Sequence, residues 1–180
     1  GSLVDDVTIR AEAGASAPEQ NIPEPQFVVS SSSSNGPNQF GNVQSAIDQI
    51  DSENESGAVI GIEGGFDDTG TDNQPNIDVS GVTLTGFSGS TPQIGALNVN
   101  ASDVTVKNVD VDGGVSVDNG TSDVTIDGVT FNEDSIGTDI DNLTITNSII
   151  QGGGVEFDLT NNSSAEISNN SIDAGSGIGI

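Results

Sequence analysis

The sequence predicts an all-β fold, a right-handed single-stranded parallel β-helix with three short strands per coil and about five to six coils. Three observations predict it. One strand pattern recurs about every twenty residues, apolar residues alternate inside each copy, and one position at the end of each copy is always Gly or Asn. The copies are 81–87 (GVTLTGF), 103–109 (DVTVKNV), 123–129 (DVTIDGV), 142–148 (NLTITNS) and 164–170 (SAEISNN). Their second residues, Val82, Val104, Val124, Leu143 and Ala165, are spaced by 22, 20, 19 and 22.

Shorter alternating stretches at 76–79, 96–100, 114–118, 137–141 and 154–159 precede or separate the copies, and a third set at 109–112, 129–132 and 148–151 follows them. Alternation of period two sends successive side chains to opposite faces of a strand. One coil alone cannot bury its apolar face, whereas stacked coils share a continuous core. The recurrent Gly or Asn falls at Gly86, Asn108, Gly128, Asn147 and Asn169. These two residue types enter left-handed backbone most readily, and a tight corner needs that geometry at one place on every rung. The five positions therefore read as a turn ladder.

The elements before the repeats follow in order. Residues 1–14 form an N-terminal arm in which 6–11 (DVTIRA) copies 103–108 (DVTVKN). The only two basic residues, Arg10 and Lys107, fall at equivalent positions. Val7, Thr8, Ile9 and Arg10 thus read as a docking strand that adds a rung to a β-helix. Residues 15–39, with the run Ser30 to Ser34, read as a flexible Ser/Pro/Asn-rich linker. The β-helix spans 40–180 and opens with a capping helix at about 42–51. There Val43, Ala46, Ile47 and Ile50 form one apolar face, and Asn42 is the N-cap.

After a polar loop comes 58–66 (AVIGIEGGF), a buried-strand pattern. The helix, loop and strand together resemble the N-terminal cap and first strand of pectate-lyase-like β-helices, over roughly residues 40–180. The resemblance identifies an architecture that hosts many unrelated functions. At the far end, 175–180 (GSGIGI) has a first-strand pattern with no turn after it. Ile178 and Ile180 read as an open C-terminal rung with unpaired backbone groups. Truncation of a longer chain is an equal expectation for that end.

Charge bounds the partners. The chain carries 28 Asp and Glu against 2 Lys and Arg, a net charge of −26, dispersed through the sequence. This composition resembles proteins of salt-loving archaea. At about 1 M salt the Debye length falls to roughly 3 Å and self-repulsion is screened. Phosphate backbones and anionic membrane surfaces repel such a chain, so nucleic acid is excluded as a partner. No apolar run reaches the ~20 residues of a membrane span, and membrane insertion is not expected. Cysteine and histidine are absent, which removes thiol chemistry and the usual zinc ligands. Seven sequons, at Asn54, Asn100, Asn119, Asn142, Asn161, Asn162 and Asn169, are candidate glycosylation sites.

No catalytic residues are expected. The resemblance implies lyases with a basic side chain and calcium, but only Arg10 and Lys107 are basic, and Lys107 faces outward beside Asp127 and Thr146. Hydrolases of the fold use clustered aspartates. Pairs occur at Asp67/Asp68, Asp110/Asp112 and Asp139/Asp141, without the neighbouring basic groups and without Tyr or Trp to stack on sugar. No cofactor is implied. Asp110 and Asp112, in 108–113 (NVDVDG), are weak calcium candidates, because the twelfth position of an EF-hand loop would be Asn119 rather than Glu.

The expectation is a non-enzymatic structural subunit of an extracellular, pilus-like filament or cell-surface assembly. It polymerises into a homopolymer by adding its N-terminal strand to the β-helix of the next copy, with six rungs advancing roughly 29 Å. The alternatives are a monomeric surface stalk or carbohydrate-binding, glycan-directed adhesion fragment, or a fragment of a polysaccharide-active enzyme.

Overall fold

The computed structural model describes residues 8–10, 24–32, 36–70, 74–118, 120–131, 141–151, 155–156, 164–173 and 178–179. The chain starts with β1 (Thr8–Arg10), β2 (Phe27–Val29), β3 (Gln39–Phe40), α1 (Val43–Glu53) and β4 (Val59–Glu63). The coils continue with β5 (Asp67–Asp68), β6 (Asn76–Ile77), β7 (Thr83–Phe87), β8 (Gln93–Ile94) and β9 (Leu97–Val99). Next come β10 (Thr105–Lys107), β11 (Asp110–Val111), β12 (Val115–Val117), β13 (Ser122–Asp127) and β14 (Thr130–Phe131). The last are β15 (Asp141–Thr146), β16 (Ile149–Gln151), β17 (Val155–Glu156), β18 (Ala165–Ser168), β19 (Ser171–Asp173) and β20 (Ile178–Gly179).

Every strand pair is parallel, and each side of the coil makes its own sheet. A nine-stranded sheet runs β1-β18-β15-β13-β10-β7-β4-β2-β3, and a six-stranded sheet runs β19-β16-β14-β11-β8-β5. The third side holds β12-β9-β6, and β17 pairs with β20 separately. This is a parallel β-solenoid of about four coils, fewer than the five to six expected. Among the described residues the third ladder holds three strands.

The apolar positions stack as their spacing requires. Phe27, Ile60, Leu84, Val106, Ile126, Ile145 and Ile167 occupy one file through the nine-stranded sheet. All but Ile167 are fully buried, and Ile167 packs against the core. Val82, Val104, Val124 and Leu143 fill the adjoining file, each at most 1% exposed. Burying such a side chain stabilises by about 1.5–3 kcal/mol, so an aligned file sets the register firmly. On the second side Ile94, Val111, Phe131, Ile150 and Ile172 stack in the same way. Exposure there rises from 5% at Ile150 to 36% at Ile172, where the stack thins.

The capping helix forms for the reasons its sequence gives. Asn42 is extended and its side chain accepts a hydrogen bond from the Ser45 N–H at 2.8 Å. Val43, Ala46, Ile47 and Ile50 are buried, closing the core beneath the first coil. Gln44 Oε1 accepts from the Asn76 N–H at 2.8 Å and ties the helix to β6. The helix runs to Glu53, two residues past its expected end, and stops at Asn54 in left-handed geometry, φ 53°.

The linker assignment for 15–39 needs correction. Residues 27–29 form β2, which inserts between β3 and β4, and Phe27 and Val29 are buried. Residues 39–40 form β3, with the Phe27 and Phe40 rings 6.2 Å apart. The polar surroundings hide a strand whose alternate residues, Phe27 and Val29, supply the inward face.

Candidate assembly site

β1 continues the nine-stranded sheet. Thr8, Ile9 and Arg10 pair in parallel with Glu166, Ile167 and Ser168 of β18. Ile9 thereby takes the next position in the file of Ile126, Ile145 and Ile167. Arg10 extends the file Thr85, Lys107, Asp127, Thr146 and Ser168, so the two basic residues share one register file. The strand that receives β1 is on the first side of the coil. The predicted rung at Ile178 lies elsewhere: Ile178 pairs with Val155 in the small sheet of β17 and β20. Val7 and Ile180 lie outside the described residues.

The turn ladder holds at four of its five positions. Asn108, Gly128, Asn147 and Asn169 have φ of 51°, 66°, 51° and 57°. Gly86 differs. Strand β7 runs through it to Phe87, and the left-handed residue is Ser88, φ 61°. Gly86 is needed for space instead, because a Cβ there would lie 2.1 Å from the Asn108 carbonyl oxygen and 2.8 Å from Pro92 Cδ.

A second ladder precedes the strands and was not read from the sequence. Gly57, Gly81, Asp103, Asp123 and Asn142 all have positive φ, between 58° and 80°. Asn142 Nδ2 donates to Asp123 Oδ1 at 3.1 Å, and Ser164 Oγ donates to Asn142 Oδ1 at 2.7 Å, so the corner is bonded rung to rung. The signal was the first column of the repeat, since Asp and Asn tolerate left-handed backbone nearly as Gly does.

Buried polar groups are matched. Asp127, 8% exposed, accepts at Oδ1 from Thr146 Oγ1 at 3.0 Å and from Asn147 Nδ2 at 2.8 Å. Lys107 stands in register with it one rung away, as the spacing predicted. Ser148 occupies a position that is Val109 and Val129 on earlier coils and is 1% exposed. Its Oγ accepts from the Val129 N–H at 3.2 Å and donates to the Thr146 carbonyl at 2.9 Å. Its own N–H donates to Asn170 Oδ1 at 2.8 Å. Among the described residues no buried side-chain nitrogen or oxygen lacks a partner.

The other candidates are dispersed. Asp110 is half-buried and Asp112 exposed, on either side of inward Val111. No group of three or more acidic side chains is placed to share a metal ion among the described residues. Asp67 and Asp68 lie in the short β5, and Asp139 is outside the described residues. Among the described residues no helix is long and apolar enough to cross a membrane. Of the sequon asparagines, Asn54, Asn100, Asn142 and Asn169 are exposed, and Asn119, Asn161 and Asn162 lie outside the described residues.

These features define the class: an all-β parallel β-solenoid with one capping helix and a strand from its N-terminal region laid on a distant rung. No protein-family model, curated protein or solved structure matches the chain.

Proposed function

We propose that this chain is a non-enzymatic structural subunit of an extracellular filament or cell-surface assembly. One copy's N-terminal strand docks on another copy's β-helix. The observation that carries the reading is the parallel pairing of β1 with β18. The three-residue register puts Ile9 in the file of Ile167 and Arg10 in the file of Ser168, so the strand suits a β-solenoid rung. The same contact made between copies is strand addition, with main-chain hydrogen bonds for affinity and alternate side chains for register. Head-to-tail repetition of a contact that does not close generates a filament. With β1, β2 and β3 joining the sheet of the coils, its nine strands at about 4.8 Å each would span near 43 Å per copy in such a filament.

Charge supports a saline extracellular setting. Subunits of charge −26 repel one another unless salt screens them, and salt also strengthens apolar burial. A non-enzymatic role fits the position of Lys107 in a file between Thr85 and Asp127, within the sheet face rather than in a cleft. The second reading, a monomeric surface stalk, is favoured by the fact that β1 pairs with β18 of its own chain.

Electron microscopy in concentrated salt separates the two. Filaments from the full chain, lost on deletion of residues 1–13 while the β-sheet circular dichroism persists, are the expected result. Filaments formed by the shortened chain would overturn strand docking. Single particles from both chains at every concentration would leave the stalk.

A further inference from the structure

The described sequons are not equivalent as acceptors. Transfer of an oligosaccharide to asparagine requires an exposed amide nitrogen with its N–H bonds free to meet the transferase. It also requires a sequon hydroxyl, two residues on, that the enzyme can bind. Two of the four sites fail this test at the asparagine amide, and a third has the middle residue of its sequon bonded into the coil. Asn100 Nδ2 donates to Asn76 Oδ1 at 3.0 Å, and the hydroxyl of its sequon, Ser102 Oγ, accepts from the Ser122 N–H at 3.0 Å. Asn142 Nδ2 donates to Asp123 Oδ1 at 3.1 Å, and the sequon residue Thr144 sits within β15 between the rungs of β13 and β18. Beside Asn169, the middle residue Asn170 is bonded into the coil, accepting from the Ser148 N–H at 2.8 Å and donating to the Ile145 carbonyl at 2.9 Å.

Asn54 differs in each respect. It ends α1 in left-handed geometry, φ 53°, where the chain turns out of the helix toward β4. Every residue from 51 to 57 is exposed, which includes both Asn54 and the Ser56 of its sequon. Its backbone N–H is held by the Asp51 and Ile50 carbonyls, so the corner is presented by a fixed scaffold. Its last residue, Gly57, begins the second turn ladder and lies against Gly81 of the next rung, whereas Asn54 itself stands outside both ladders.

We infer that Asn54 is an N-glycan acceptor of the folded protein, the one among the described sequons that a transferase can engage without opening a coil. In the reaction, Asn54 Nδ2 forms a bond to the anomeric carbon of a lipid-diphosphate-linked oligosaccharide. The bond from that carbon to the diphosphate oxygen breaks, the lipid diphosphate leaves with the electron pair, and one Nδ2 proton passes to a carboxylate of the transferase. A glycan here projects from the helix-capped end of the stack. The inference is independent of filament assembly.

The test is transfer in vitro to the folded, full-length chain, using a purified single-subunit transferase that requires only Asn-X-Ser/Thr and a lipid-diphosphate donor. Site occupancy is then read by peptide mass spectrometry. Asn54 is expected to exceed Asn142 by roughly tenfold or more, the factor carried by one hydrogen bond to a charged group, and Asn100 by about fivefold, the factor of a neutral one. In urea-unfolded chain that preference should collapse. Ser56→Ala should abolish occupancy at Asn54 without changing the far-ultraviolet spectrum, and Ser56→Thr should retain it. Failure to modify Asn54 in the folded chain, or modification of Asn142 or Asn100 to the same extent, would overturn the inference.

Discussion

Shortening the connection between β1 and β2 distinguishes docking within one chain from docking between chains. Sixteen residues separate Arg10 from Phe27. In the long sheet β1 and β2 lie seven strand spacings apart, because β18, β15, β13, β10, β7 and β4 intervene. At about 4.8 Å per spacing the connection must cover roughly 34 Å. A chain extends at most about 3.3–3.6 Å per residue, so the natural connection reaches some 56–61 Å and docking on its own β18 is allowed. Removing eight residues from 12–24 leaves a reach of about 30–32 Å, short of the span. Docking between copies is unaffected, since β1 then needs to pass only the β3 edge, about 10 Å away.

The consequence is a shift in concentration dependence. Closure within one chain competes at an effective concentration of order millimolar for a short tether. Removing that competitor should lower the concentration at which copies join by about tenfold or more. Light scattering coupled to size exclusion in 2 M salt (roughly the regime in which screening is complete) reads this directly. A shortened chain that remains a monomer up to solubility, with its arm cleaved by protease, would refute exchange of β1 between copies.

Other outcomes follow from the packing. Gly86→Ala places a Cβ 2.1 Å from the Asn108 carbonyl oxygen and should cost about 3 kcal/mol in urea unfolding. Gly120→Ala meets nothing within 4 Å and should cost only the left-handed backbone term, about 1 kcal/mol, despite its φ of 85°. Ser148→Val restores the apolar type of its column yet removes the acceptor of the Val129 N–H, and should destabilise by about 1–2 kcal/mol. A more stable variant would show that the hydroxyl is not needed. Raising salt from 0.1 M to 2 M (about 10 Å to under 3 Å in Debye length) should raise the melting temperature, because the chain carries −26. A salt-independent transition would mean that the dispersed carboxylates do not strain the fold.

The repeat was legible because inward positions recur at a spacing that one coil imposes. Val82, Val104, Val124 and Leu143 stack as their numbers indicate. Strand β1 was legible for the same reason, as a copy of 103–108. What escaped was anything that breaks the period. Phe27 and Val29 lie in a Ser- and Pro-rich stretch, and their burial depends on β4, some thirty residues away, rather than on neighbours in sequence. Gly86 looks like a left-handed corner in a column of such corners, but the strand runs on through it for two residues, to Phe87, and the bend moves to Ser88. Ser148 reads as a surface residue until Val129 and Asn170 surround it. The coils number about four rather than five to six, and among the described residues three third-side strands join one ladder.

The paired corners make the coil a removable unit. Asp103 and Asp123 have φ of 59° and 58°, and each is followed by a buried valine, Val104 and Val124. Splicing residue 102 directly to residue 123 therefore joins two chain ends of matching direction and conformation. The product should be a shorter stack, reduced by about 4.8 Å. Duplicating 103–122 should lengthen it by the same step. Such a molecule changes length in whole increments of one coil, without redesign of its ends, and its span can be set by duplication or loss of a single coding segment.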